Sequence, residues 1–140
     1  AIRTYCSDGY TAVNYGLRAE SPTHVAAVEH FMNALNSGLA KLANYPGDVR
    51  RGATLPESEL NRQLSASELT FQAYTSTSLK NSFGREVRYH IFPKTGKYVA
   101  PLSILPGEEE VIIPPGAHFK VLYKEKQGNT KAYFVLEQIP

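Results

Sequence analysis

The segment that decides the fold spans residues 107–116 and reads GEEEVIIPPG: three glutamates (108–110), three β-branched residues, two prolines and Gly116. The β-branched residues at 111–113 predict a strand, and the Pro-Pro-Gly that follows predicts its end. Alternate residues of a strand share a face, so we expect Glu108 and Glu110 on one face and Glu109 on the other. Neighbouring carboxylates repel each other. The run is therefore either a solvated guard on an edge strand or a charge that a substrate or partner uses.

Two other segments favour the second interpretation. Residues 49–52 read VRRG, a short β-type entry in which arginine precedes glycine, and residues 73–79 read AYTSTSL, a strand end rich in hydroxyl groups. An arginine, a Ser-Thr-Ser and a Glu-x-Glu in this order resemble the Arg–Ser–Glu class of mono-ADP-ribosyltransferases, which includes binary actin toxins, ecto-transferases and bacterial effector domains. Residues 110–121, EVIIPPGAHFKV, resemble that family's E-V-L-x-P-P-G-x-x-F-x-V tail.

The resemblance covers nearly the whole chain. Tyr10, Asn14, Leu17 and Arg18 resemble the family's first helix, and Ser103 stands where the family often has a serine before the acids.

Length and composition predict one globular domain over residues 1–140, and the absence of an initial methionine predicts a domain cut from a longer effector. The net charge of +2, from 15 basic and 13 acidic residues, is too small to indicate a nucleic-acid or membrane partner by itself. No apolar run approaches the ~18 residues of a membrane span. The single cysteine, Cys6, excludes an internal disulfide.

The order of elements predicts an α+β fold, with N-terminal helices before mainly antiparallel strands. Residues 1–44 are predicted to be helical, with Ser21-Pro22 as a helix start and Asn36-Ser37-Gly38 as a possible break. Residues 53–68 are polar and predict a loop that could include one helical turn. The predicted strands are 48–52, 70–79, 87–92, the strand at 111–113 and a hairpin of 117–126 with 131–138. The family resemblance implies two packed β-sheets with an NAD cleft between them.

Glu110 is the predicted catalytic carboxylate. The bond between nicotinamide and ribose breaks through an oxocarbenium-like state, and a fixed carboxylate beside the ribose stabilises the developing positive charge. The resemblance implies that NAD is the substrate and that Glu110 also hydrogen-bonds the ribose 2′-hydroxyl. No metal is expected, since His24 and His30 lack ligand partners at metal spacing.

Arg51 is predicted to bind the diphosphate of NAD, because a planar guanidinium grips phosphate oxygens at two points and lysine does not. Gly52 would let the substrate approach the backbone closely. Arg50 is an alternative of the same type. The family pattern of arginine followed by glycine selects Arg51, although many members have tyrosine where Arg50 stands.

The resemblance implies that Ser76 braces the catalytic glutamate and that Thr77 supports the nicotinamide pocket, with Ser78 structural. The alternative is that these hydroxyl groups only pair across strands. Phe83 could stack on nicotinamide, since aromatic faces suit flat heterocycles. Arg85 and Arg88 are possible second phosphate contacts.

Glu108 is predicted to decide the acceptor. In the family, glutamate two residues before the catalytic one accompanies transfer to arginine, and a carboxylate can orient a guanidinium and accept its proton. Some relatives modify nucleic acid instead. The loop 98–107, which contains Leu102, Ile104 and Leu105, could dock a target or pack as core.

Three hypotheses follow: an arginine-directed mono-ADP-ribosyltransferase toxin domain, an NAD glycohydrolase that depletes NAD, or a binding module without turnover. The candidate catalytic residues Arg51, Ser76, Glu108 and Glu110 favour an enzyme. The resemblance implies an effector that is secreted or delivered into the cytoplasm of a target cell, together with a cognate immunity protein.

Overall fold

The computed structural model describes residues 22–80, 85–99 and 109–140. The predicted first helix, with Tyr10 and Leu17, lies outside them, as do Ser103 and the predicted docking residues at 102–105.

Two helices lie in the described part of the chain: α1 at Pro22–Ala40 and α2 at Glu57–Ser65. Helix α1 begins at Pro22, as the sequence predicted, because proline suits the first helical position. The predicted break at residues 36–38 does not occur, and the helix continues to Ala40. No helix among the described residues is long and apolar enough to cross a membrane.

Within these described ranges, eight strands form one hydrogen-bonded sheet in the order β2-β7-β8-β4-β1-β3-β6-β5. All neighbouring pairs are antiparallel except β4 and β8, which are parallel. Their bounds are β1 Val49–Ala53, β2 Glu68–Phe71, β3 Thr75–Ser78, β4 Val87–Phe92, β5 Lys97–Tyr98, β6 Glu110–Ile113, β7 Ala117–Lys126 and β8 Ala132–Gln138. The predicted strands at 48–52, 87–92 and 111–113 and the predicted hairpin are confirmed to within one residue.

The sheet narrows to a single residue pair between β1 and β3. Only Arg50 of β1 is paired there, with Ser78 of β3, whereas β1 pairs with β4 along its whole length. Beyond Arg50 the two strands separate. This separation divides the ladder into a five-stranded part and a three-stranded part, which corresponds to the two sheets that the family resemblance implied.

Two predictions about residues 53–79 were wrong. The polar segment at 53–68 contains helix α2, which buries Leu60 and Gln63 and carries Glu57 and Glu59 in its first turn. A polar helix of this kind forms because one buried face is sufficient to hold it on the core and early acids suit the helix dipole. The predicted strand at 70–79 is two strands with different partners: β2 pairs with β7 and β3 pairs with β6.

The core lies on both faces of the sheet. The larger cluster packs α2 against the face that carries Leu69, Phe119 and Phe134, with Tyr89 stacked on Phe134 at 5.3 Å between ring centroids. The smaller cluster packs Leu35 and Leu39 of α1 against the opposite face, where Tyr74 and Ile112 are buried. The three-stranded part is therefore held by α1, and this part carries the Ser-Thr-Ser segment and Glu110.

Candidate active site

Arg51 lies at the point where β1 and β3 separate. Its side chain is half-buried, and its Nη1 donates a hydrogen bond of 2.9 Å to the backbone oxygen of Ser76 on β3. Arg50, the residue before it, is the last residue of β1 that pairs with β3, whereas Arg51 pairs only with Tyr89 of β4. The guanidinium therefore lies where the two parts of the sheet diverge.

Glu110 is the first residue of β6, and the register places it directly opposite Ser78 of β3. Ser76 pairs with Ile112, two residues further along the same face. Ser78 in turn faces Arg50 on β1. The structure thus brings Arg50, Ser78 and Glu110 into one cross-strand row. Ser76 was predicted to hold the Glu110 carboxylate, but Ser78 is the serine directly opposite Glu110 in the register.

Glu109 interrupts the alternation that the sequence predicted for the acidic run. Its φ is 49°, in the left-handed region that non-glycine residues seldom occupy. Strand β6 begins at Glu110, so alternation does not carry from Glu110 back through Glu109. The expectation that Glu108 and Glu110 share a face stays a prediction. The backbone turns at Glu109 while its oxygen still accepts from Leu79 N at 3.3 Å. Glu108 itself lies outside the described residues.

Thr77 ties β3 to β6 immediately beside Glu110. Its buried hydroxyl donates a hydrogen bond of 2.8 Å to the backbone oxygen of Val111. Tyr74, two residues before Ser76, connects this region to helix α1, because its hydroxyl group donates a hydrogen bond to Asn36 Oδ1. These contacts fix the two strands that carry the predicted serine, threonine and glutamate.

An open cavity of about 610 Å³ extends from Arg51 beneath helix α2. Its walls come from β1, α2, β2, the start of β3 and β4, and within the described residues no part of β6 lines it. The lining side chains are Arg51, Ala53, Leu55, Glu59, Arg62, Gln63, Glu68, Thr70, Phe71, Gln72, Ala73, Thr75 and Tyr89.

A polar network that sequence reasoning missed lies on the cavity wall. The Tyr89 hydroxyl donates to Gln63 Oε1 at 2.6 Å, and Gln63 Nε2 donates to Glu59 Oε1 at 3.2 Å. Burial raises the pKa of Tyr89 to about 12, while the positive charge of Arg51 acts in the opposite direction. The spacing of Glu59 and Gln63 by four residues on a helix was the available signal, but the segment was predicted to be mainly loop.

Glu59 and Arg62 form an ion pair at the mouth of the same cavity. Arg62 Nε donates to Glu59 Oε2 at 2.9 Å and Arg62 Nη2 lies 2.5 Å from Oε1. The Arg62 hydrogen bonds lower the pKa of the Glu59 carboxyl group, against a smaller opposing effect of burial. The carboxylate is therefore held ionised and in a fixed orientation.

The other predicted contacts are Arg88, Phe83 and Gly52. Arg88 is exposed, donates to Gln127 Oε1 at 3.0 Å and lies over the ring of Tyr133 at 5.6 Å from its centroid. Its role as a second phosphate contact stays a prediction. Phe83 lies outside the described residues. Gly52 follows Arg51 on β1 and pairs with Arg88 on β4. Among the described residues, no three potential metal ligands of the His, Cys, Asp and Glu type cluster.

Comparison with known proteins identifies relatives that match nearly the whole chain. The profile of the family described as NAD:arginine ADP-ribosyltransferase matches residues 1–138. The NAD(+)–protein-arginine ADP-ribosyltransferase Tre1 of Serratia proteamaculans is 32% identical over 134 residues, which cover 96% of this chain and 30% of Tre1. Tre1 of Pseudomonas putida is 34% identical over 139 residues, covering 96% of this chain and 27% of that protein. The chain thus spans less than a third of the length of these two relatives.

A solved structure agrees with the sheet and helices described above. Vis, an ADP-ribosyltransferase toxin from Vibrio splendidus, was crystallised with agmatine and matches with a TM-score of 0.81. The match has 25% identity and covers 99% of this chain and 72% of Vis. The predicted α+β fold and the family that the sequence resembled are confirmed.

Proposed function

This chain belongs to the NAD:arginine ADP-ribosyltransferase family, and we propose on that basis that it transfers ADP-ribose from NAD to an arginine side chain of a target protein. One observation carries the assignment to this site. Arg51 lies where β1 and β3 separate, bonded to the backbone of Ser76, while Glu110 begins the next strand of the same sheet. A cation on β1 and a carboxylate on β6, with β3 between these strands, suit the diphosphate and the nicotinamide ribose of one extended dinucleotide.

Glu110 has the electrostatic role in the proposed reaction. The bond between ribose and nicotinamide breaks with its electron pair leaving on nicotinamide, and positive charge develops on the ribose. The carboxylate of Glu110 stabilises that charge because it is fixed in place by the β3–β6 ladder before the reaction begins. It also accepts a hydrogen bond from the ribose 2′-hydroxyl.

Arg51 binds the diphosphate in this proposal, and Gly52 beside it leaves room for the substrate to approach the backbone. Ser76 and Ser78 both share the face of Glu110, and either hydroxyl can hold the carboxylate. Thr77 keeps β3 and β6 together through its bond to Val111. Phe83 stays the predicted stacking partner of nicotinamide.

The proposed acceptor is a guanidino group. The Tre1 relatives are named for transfer to protein arginine, and Vis was crystallised with agmatine, which ends in a guanidinium group. A guanidino nitrogen forms the new bond to ribose and must lose a proton, which the carboxylate of Glu108 accepts. Nicotinamide and a proton are the other products.

The setting of the domain is also a proposal. Since Vis is described as a toxin, we infer that residues 1–140 form a single catalytic domain of an effector. This effector acts in the cytoplasm of the target cell. A cognate immunity protein remains a prediction from the sequence resemblance.

Mass spectrometry tests the proposed function. The chain is incubated with a lysate of candidate target cells and NAD labelled in its adenosine, and we expect labelled proteins with ADP-ribose on arginine. Release of nicotinamide without any labelled macromolecule would instead identify an NAD glycohydrolase. Label in nucleic acid would replace the protein acceptor.

Exchanging each arginine of β1 for lysine should separate their roles. We expect Arg51→Lys to weaken NAD binding about tenfold, because lysine keeps the charge but loses the two-point contact with phosphate. Arg50→Lys is the matched control and should change the dissociation constant less than twofold. Titration of both variants with NAD is the measurement, and a larger defect at Arg50 would transfer the diphosphate role to the arginine that shares a row with Ser78 and Glu110.

A further inference from the structure

The cavity beside Arg51 lies on the side away from the proposed nicotinamide ribose. Glu110 is on β6, which β3 separates from β1, whereas the described lining of the cavity comes from β1, α2, β2, β3 and β4. A dinucleotide would place its diphosphate on Arg51 and its nicotinamide ribose on Glu110. Its adenosine half would then extend to the other side of Arg51, where the cavity lies. The volume of about 610 Å³ is in the usual range for small-molecule sites.

Glu59 lines the cavity with a carboxylate, which can accept a hydrogen bond from a ribose hydroxyl group. Glu59 presents a carboxylate whose orientation is set by two bonds from Arg62 and one from Gln63. Gln63 is itself buried and held by the Tyr89 hydroxyl. Hydrogen bonds therefore connect Glu59, through Gln63, to Tyr89 in the core of the sheet.

We propose that Glu59 and Arg62 select NAD over NADP by reading the 2′ position of the adenosine ribose. The inference rests on the proposed function, because it assumes that a dinucleotide occupies Arg51 and Glu110. In NAD the 2′-hydroxyl donates to Glu59 Oε2, which accepts only one bond, from Arg62 Nε, whereas Oε1 accepts two. Acidic residues bind ribose in this way in other dinucleotide sites.

In NADP the same position carries a phosphate, and Glu59 repels it. Arg62 does not compensate for this repulsion, because its guanidinium is already engaged by both carboxylate oxygens of Glu59. Removing the negative charge of Glu59 has two effects: the repulsion disappears, and Arg62 is released to form a two-point contact with the phosphate. The selectivity is thus a property of the pair, and its reversal requires Arg62.

Binding of ADP-ribose and of its 2′-phosphate derivative to the whole chain tests the proposal, since neither ligand contains nicotinamide and neither is consumed. Isothermal titration calorimetry of the wild-type protein should give tighter binding of ADP-ribose. In Glu59→Gln we expect the ratio of the two dissociation constants to shift about tenfold towards the phosphorylated ligand, the size being limited because the pair is partly exposed. The double variant Glu59→Gln/Arg62→Gln should lose that gain.

Glu57→Gln is the matched control, because it removes an acid of the same helix that does not line the cavity. The proposal would be overturned if Glu59→Gln left the ratio of the two dissociation constants unchanged, or if Glu57→Gln shifted it equally. It would also be overturned if the wild type did not bind ADP-ribose. Release of nicotinamide from NAD by the same wild-type preparation tests the proposed function separately. A protein that releases none but binds ADP-ribose with the expected dependence on Glu59 would refute the transferase and retain the selectivity.

Discussion

Replacing Glu110 with glutamine should lower both ADP-ribose transfer and NAD hydrolysis at least ~100-fold while leaving the fold intact. Glutamine keeps the shape of the side chain but removes the negative charge beside the developing ribosyl cation, and losing one such preorganised interaction costs about 2.7–4 kcal/mol in the activation free energy. Glu110 lies at the start of β6 and is only half-buried, whereas the fully buried residues 111–113 hold the strand. The substitution therefore leaves the core unchanged.

Nicotinamide release and labelling of an arginine acceptor are the two measurements, made on one preparation. Glu109→Gln is the matched control, since it removes a neighbouring acid whose side chain has no assigned role, and its rates should stay within about twofold of the wild type. Equal thermal unfolding midpoints for the three proteins would establish that folding is unaffected. Near-normal turnover by Glu110→Gln would remove this carboxylate from the mechanism.

Replacing Glu108 with glutamine should separate transfer from hydrolysis. We expect transfer to protein or to a small guanidino acceptor to fall about 100-fold, in line with the loss of a general base, while slow hydrolysis of NAD to water continues. A guanidinium is protonated at neutral pH and must give up a proton as its nitrogen bonds to ribose. Water reaches the ribosyl cation without that help.

The comparison again uses labelled acceptor and released nicotinamide in parallel, with Glu109→Gln as the control. An equal loss in both assays would mean that Glu108 and Glu110 act together on NAD, and the arginine acceptor would lose its main chemical support. Unchanged transfer would point to an acceptor other than guanidinium.

The sequence by itself determined the family, the α+β order of elements and most strand bounds. The Pro-Pro-Gly after Ile113 ended β6 as predicted, with Gly116 at a φ of 79° where the chain turns. The hairpin around residues 127–129 was equally clear, since alternation and turn residues are local signals. The ordered set of Arg51, Ser76 and Glu110 was also readable from the sequence, because it depends on residue identity and order alone.

Only the tertiary structure decided how these segments meet. Residues 68–78 became two strands because their partners are distant in the chain, with β2 on β7 and β3 on β6. Helix α2 was missed because its polar residues are held by a single buried face, and with it the pair of Glu59 and Arg62 was missed. The sequence selected Arg51 by its motif but did not show that β1 leaves β3 at this residue. The register that sets this point is fixed by packing on both faces of the sheet, a non-local property that residues 49–52 do not encode on their own.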